Sequence, residues 1–135
     1  MIVLDASVAL DVLLGAPTAE HAMHRLADER EPLAAPDALL VEVARVLRRH
    51  AIAGRISQRL GTELLDDLLA LDVECYPTEL LVQRAWTLRD NFTLDDALYV
   101  TLAELTDATL LTTDAKLAAS ARRLVGIDVL VPEPA

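Results

Sequence analysis

The sequence predicts an α/β fold, a mainly parallel sheet with helices on both faces. Three observations lead there. Short apolar runs with β-branched residues alternate with longer stretches of helical spacing. The 135 residues are 53% hydrophobic but only 3% aromatic, which suggests an aliphatic core under helices and excludes a disordered chain. No internal repeat, low-complexity segment or linker divides the chain, so residues 1–135 read as a single domain.

Ile2-Val3-Leu4 reads as a short buried strand ended by Asp5. Ala6 to Leu14 has helical spacing and stops near Gly15-Ala16-Pro17. Thr18 can cap a helix to about Glu29, with Ala22, Met23, Leu26 and Ala27 on one face. Leu33-Ala34-Ala35, between Pro32 and Pro36, reads as a second strand. Asp37 to about His50 reads as a helix, followed by Gly54. Ser57 can cap another, with Leu60, Leu64, Leu68 and Leu71 along one face. Val73-Glu74-Cys75-Tyr76 before Pro77 is a third strand, and Thr78 caps a helix to about Asp90. Thr93 caps the next helix, Leu94 to about Leu105. Thr93-x-x-Asp96 has the spacing of a capping box, with Asp in place of Glu or Gln. Thr109-Leu110-Leu111-Thr112 is a fourth strand, ended by Thr113-Asp114. Ala115 to Arg123 is helical, and Ile127, Val129 and Val131 alternate with Asp128 and Leu130 as a last strand.

No apolar run approaches the roughly 18–20 residues needed to span a bilayer. Asp5 and Asp11 enter the apolar N-terminus with no Lys or Arg before them, so it does not read as a secretory signal. Cys75 is the single cysteine, which excludes a disulfide framework and a cysteine zinc site. The expected compartment is the cytoplasm. The formal net charge of −10 argues against a general nucleic-acid coat protein. It allows a nuclease with an acidic metal site and grouped basic residues. Arg45, Arg48, Arg49, His50, Arg55 and Arg59 are so grouped. They form either a solvated helix face or a patch that contacts phosphate or a partner.

Four acids stand out. Asp5 and Asp114 follow predicted strands, where α/β folds bind ligands if the strands are neighbours. Each could equally cap the helix it precedes. Asp96 could merely close its capping box, with Asp95 beside it on a more exposed azimuth. Glu42 lies among Ala38-Leu39-Leu40-Val41 and Val43-Ala44, and a buried carboxylate needs a partner. Arg45 or Arg49 could supply one; a metal ion is the competing reading. Carboxylates held about 4 Å apart repel by roughly 4 kcal/mol at an effective dielectric near 20, so a cluster needs protons or a cation. Oxygen ligands without Cys or a well-placed His select Mg²⁺ or Mn²⁺. His21 and His24 read as a solvated face. Such an ion is the apparatus of phosphoryl-transfer hydrolysis.

These residues resemble the PIN-domain ribonucleases. Met1-Ile2-Val3-Leu4-Asp5-Ala6-Ser7 is similar to their opening strand, and Leu40-Val41-Glu42-Val43 to their inward glutamate helix. Asn91-Phe92-Thr93-Leu94-Asp95-Asp96-Ala97-Leu98-Tyr99-Val100 resembles their third acidic motif, and Leu110-Leu111-Thr112-Thr113-Asp114 the fourth. The order, spacing and length are similar to VapC-type toxins of bacterial toxin–antitoxin pairs. The resemblance implies a Rossmann-like three-layer α/β/α sandwich. It implies Asp5, Glu42, Asp96 and Asp114 as catalytic Mg²⁺ or Mn²⁺ ligands, supported by Ser7 and by Thr112 or Thr113. It implies a homodimer, cleavage of structured RNA such as transfer or ribosomal RNA, and a VapB-type antitoxin whose tail covers the site. Arg45, Arg48, Arg49 and Arg55 are then candidate contacts to RNA or antitoxin. Asp95 departs from the usual uncharged residue and adds a fifth acid, though helix register favours Asp96 as the ligand.

Three other readings remain. One is a PIN nuclease of RNA maturation, separated from a toxin by the absence of an upstream antitoxin gene. Another is an aspartyl phosphatase or phospho-acceptor with Asp5 as nucleophile, against which Ser7 stands where the haloacid type wants a second Asp. The last is a non-catalytic binding module. For dimer contacts, Trp86, Leu64 and Leu68 are candidates, unless they are core.

Overall fold

The computed structural model describes residues 1–17, 20, 23–24 and 31–132. Five strands form one sheet: β1 Ile2–Leu4, β2 Leu33–Pro36, β3 Val73–Tyr76, β4 Thr109–Leu111 and β5 Val129–Leu130. Their order is β3-β2-β1-β4-β5, and every neighbouring pair is parallel. Among the described residues there are six α-helices. They are α1 Ala6–Leu13, α2 Ala38–Ile52, α3 Gln58–Ala70, α4 Val82–Thr87, α5 Leu94–Thr106 and α6 Ala115–Leu124. The result is the three-layer α/β/α arrangement that the alternation predicts.

The apolar patterns explain the layers. All three residues of β1 are buried, as a strand covered on both faces requires. In α2, Leu39, Val43 and Leu47 form the buried stripe at helical spacing. Helix α5 is different: every residue from Ala97 to Ala103 is buried. It is a core helix, so any polar side chain on it needs an internal partner. Its N-terminus is capped by Thr93, whose Oγ1 accepts from the Asp96 N–H at 3.1 Å.

The chain runs outward from β1 through β2 to β3 and then crosses to β4 on the other side of β1. Strands β1 and β4 are therefore neighbours, with Leu4 opposite Leu111. The direction of winding reverses between them, which is where open α/β sheets bind ligands.

Several expectations are corrected. The helix expected from Thr78 to Asp90 is a 3₁₀ turn, Thr78–Leu80, followed by the short α4. Thr78 caps nothing; its hydroxyl donates to Asp37 Oδ1 at 2.5 Å, a tertiary bond that no local pattern announces. Asp37 in turn makes no side-chain cap for α2. The last strand shortens to Val129–Leu130, where pairing with β4 ends. Leu64 and Leu68 are core residues, whereas Trp86 is 60% exposed. The helix expected from Thr18 to Glu29, with His21, falls largely outside the described residues.

Candidate active site

Asp5 is the fixed point of the site. It leaves β1 and becomes the N-cap of α1, with Oδ1 accepting from the Val8 N–H at 3.2 Å. The same oxygen accepts from Ser7 Oγ at 2.5 Å, and Thr112 Oγ1 donates to Oδ2 across the β1–β4 junction. The capping and functional readings of Asp5 therefore coexist. Burial pushes its carboxyl above the ordinary range, and the bonds from Ser7, Thr112 and Val8 hold part of that rise back.

The β4 side is built to match. Thr112 is fully buried and also accepts from the Asp114 N–H at 3.0 Å. Thr113 contributes its backbone, donating to Ser7 Oγ at 3.2 Å. Thr112 is thus the side chain that supports Asp5, and Thr113 acts through its N–H. Asp114 caps α6, with Oδ1 accepting from Lys116 and Leu117 at 3.0 and 3.1 Å. Replacing Thr112 by Val should remove both of its links. We expect a loss of about 1–3 kcal/mol, the usual cost of stranding a buried polar group, read by urea unfolding.

Helices α2 and α5 bring the remaining acids. Asp96 is half-buried and Asp95 exposed. Burial raises the Asp96 carboxyl; the Thr93 hydroxyl lowers it, and Asp114, Asp5 and Asp95 raise it further. Glu42 sits beside the buried stripe of α2 and is pushed up to about 7, first by desolvation and then by the charge of Asp95, with smaller effects from Asp96 and Asp5. Asp95 therefore acts on the site through its field despite its exposure. No ion pair joins Glu42 to Arg45 or Arg49 among the described residues. Its Oε1 is buried without a hydrogen-bond partner among the described residues.

The four acids share one region without forming a tight cage: among the described residues no three His, Cys, Asp or Glu side chains are gathered closely enough to grip an ion. The donor chemistry nonetheless suits a hard, hydrated cation. All donors are oxygens, and Mg²⁺ keeps several of its waters rather than demanding an all-protein shell. The orphaned Glu42 Oε1 is the observation in favour of a cation, because an ionised buried carboxylate with no partner is costly.

The basic group lies on α2 and in the segment after it. Arg45, Arg48, Arg49 and Arg55 are exposed. Arg59 pairs with Glu63 at 3.1 Å on the surface. Arg45 and Arg49 lie one and two turns beyond Glu42 on its side of the helix. Arg48 borders a groove of about 280 Å³ between α2 and α3, lined also by Ala44, Leu47, Ala51 and Leu65.

The sequence reading missed Tyr99. It is 1% exposed on α5, close to Glu42, and its hydroxyl is also without a partner. The phenol lies near enough to temper the rise of Glu42, although the two groups do not reach hydrogen-bond geometry. Its spacing of three residues from Asp96 was the available signal, since i and i+3 share a helix face.

The PIN-domain family model matches residues 2–123. Ribonuclease VapC12 of Mycobacterium tuberculosis is 37% identical over 120 residues, covering 89% of this chain and 92% of that protein. Ribonuclease VapC1 of the same organism is 38% identical over 119 residues, covering 87% of this chain and 89% of that protein. Among solved structures, VapBC2 from Rickettsia felis, bound to a DNA fragment from its promoter, superposes with a TM-score of 0.70. It covers 98% of this chain and 100% of that chain, at 17% identity, and so shows the fold alone. The four acids stand on the strand ends and helices of a fold with these relatives, and the chain belongs to the PIN-domain family as a VapC-type member.

Proposed function

We propose that this chain is a divalent-metal-dependent endoribonuclease, the toxin of a toxin–antitoxin pair, that hydrolyses phosphodiester bonds in structured RNA such as transfer or ribosomal RNA. The observation that carries the reading is the convergence of buried Asp5 with Asp96, Asp114 and the unpartnered Glu42 beside the β1–β4 switch point. The VapC relatives, named as ribonucleases, support the RNA substrate, and the VapBC2 structure supports a VapB-type antitoxin partner.

Asp5, Glu42, Asp96 and Asp114 would hold Mg²⁺ or Mn²⁺. A bound ion supplies charge stabilisation at phosphoryl oxygens and lowers the pKa of its water. Ser7 and Thr112 keep the Asp5 carboxylate at one orientation. Asp95 adds negative field that draws a cation in and raises Glu42. Arg45, Arg48, Arg49 and Arg55 would offset the net charge of −10 locally and meet RNA phosphates or an acidic stretch of the antitoxin.

The test is cleavage of a panel of structured RNAs with Mg²⁺ or Mn²⁺, together with growth arrest on expression and its relief by the antitoxin. Mapping the new RNA ends identifies the substrate. No cleavage with either ion and no arrest would sink the reading; cleavage without arrest would favour RNA maturation.

The proposal includes a homodimer in the cytoplasm. No helix among the described residues is long and apolar enough to cross a membrane. Trp86 and Leu105, each 60% exposed on the adjoining helices α4 and α5, support a self-contact. Trp86→Glu should then shift the chain from dimer to monomer in sedimentation; an unchanged mass would remove Trp86 from the interface.

A further inference from the structure

Helix α5 carries a hydroxyl it has no packing use for. Residues 97–103 are all buried, and Tyr99 is among the largest fully buried side chains. Phenylalanine would fill the same space without a polar atom. A buried phenol normally finds a partner, because leaving it without one is costly. Among the described residues Tyr99 Oη has none, and the carboxylate it lies close to, Glu42, also has a buried oxygen with none. Thr101 Oγ1 is a second buried atom on this helix without a partner among the described residues.

Two adjacent orphans of complementary type, one able to donate and one able to accept, need only a small movement to join. Tyr99 stands three residues after Asp96, so the helix that delivers one acid also delivers the phenol to another. We propose that Tyr99 is a positioning residue: its hydroxyl donates to the ionised Glu42 carboxylate when a divalent cation binds, and so fixes the orientation in which Glu42 meets that cation. The inference rests on the metal-site reading above. It assigns to α5 a second task, coupling the placement of Glu42 to that of Asp96. Hydrogen bonds to a ligating carboxylate orient it and raise affinity, and their loss typically costs 10–100-fold in metal binding.

The experiment is Mn²⁺ titration, read by electron paramagnetic resonance of the free ion. It uses four proteins: wild type, Tyr99→Phe, Glu42→Gln and the double variant. Tyr99→Phe should bind Mn²⁺ about tenfold more weakly. In the Glu42→Gln background the same change should have no further effect, because the acceptor charge is gone. Without metal, Tyr99→Phe should melt at or above the wild-type temperature, since the deleted hydroxyl has no partner there. Wild-type affinity in Tyr99→Phe overturns the inference. So does an undiminished loss in the Glu42→Gln background, or a metal-free Tyr99→Phe that melts well below wild type or fails to fold. If wild type itself binds no Mn²⁺, the metal-site reading fails, and this inference with it.

Discussion

Asp96→Asn should lower RNA cleavage about 10³-fold with the fold intact, since metal stabilisation of phosphoryl charge is worth several kcal/mol and each 1.36 kcal/mol is tenfold in rate. The cap of α5 survives this change. Thr93 Oγ1 accepts from the backbone N–H of Asp96, which Asn keeps. The substitution also removes one of the like charges that raise Glu42. Without metal, unfolding free energy at neutral pH should therefore be no lower than wild type, since Asn removes a carboxyl that burial and like charges disfavour as an anion. Asp95→Asn is the internal control. Asp95 is exposed and acts on Glu42 at a distance, so its loss should cost less than about tenfold in rate. Single-turnover cleavage with saturating Mn²⁺ reads both. Equal losses in the two variants would overturn the assignment of Asp96 as the ligand, and so would full activity in Asp96→Asn.

The metal-free protein should lose stability as the pH rises from about 4.5 to about 7. The Glu42 carboxyl titrates at about 7 in the folded chain against 4.5 in the unfolded one. Between those values the folded state holds a proton that the unfolded state releases, so this group's contribution to stability is full below the window and lost above it. Burial shifts Asp5 and Asp96 in the same direction, which adds to the slope. The Glu42 shift alone corresponds to about 3 kcal/mol, and solvent around a half-buried group reduces that to roughly 1–2 kcal/mol. A cation reverses the trend. Mn²⁺ at about a hundred times its Kd adds about 2.7 kcal/mol to the folded state, and the gain is largest at high pH, where the carboxylates are free of protons. Glu42→Gln should flatten the slope, melt above wild type at pH 8 in chelator, and gain little from Mn²⁺. Melting curves from pH 5 to 8, with chelator and with Mn²⁺, check all three. A metal-free wild type whose stability is flat across that range would refute the raised Glu42.

Much of the candidate site could be read locally because three of its acids sit at local boundaries. Asp5 and Asp114 end apolar runs and begin helices, so one short stretch shows both the strand end and the cap. Asp96 follows a Thr at capping distance. Glu42 interrupts an apolar helix. The arginine rescue of Glu42 was also a local idea, and it failed: Arg45 and Arg49 stay in solvent, where an exposed guanidinium loses less hydration than it would beside a half-buried acid. Thr78 failed as a cap for a related reason. Its hydroxyl found Asp37, far away in sequence, a better acceptor than its own turn.

By itself the sequence determined the α/β class, the alternating elements and the family, and it named the four acids as candidates. Periodicity, caps and turn residues act over a few positions, and the chain obeys them almost throughout. Tertiary structure alone decided three things. It placed β4 beside β1, so that Thr112 bonds Asp5 across the sheet. It brought Asp95 near Glu42, which tunes a carboxyl that no neighbour in sequence could tune. And it laid Tyr99 close to Glu42, where two buried polar atoms without partners among the described residues have a consequence. Each of these is a pairing between residues far apart in the chain. Which distant residues meet is settled by the strand order and by the layers of helices packed on the sheet, and no window of a few residues contains that information.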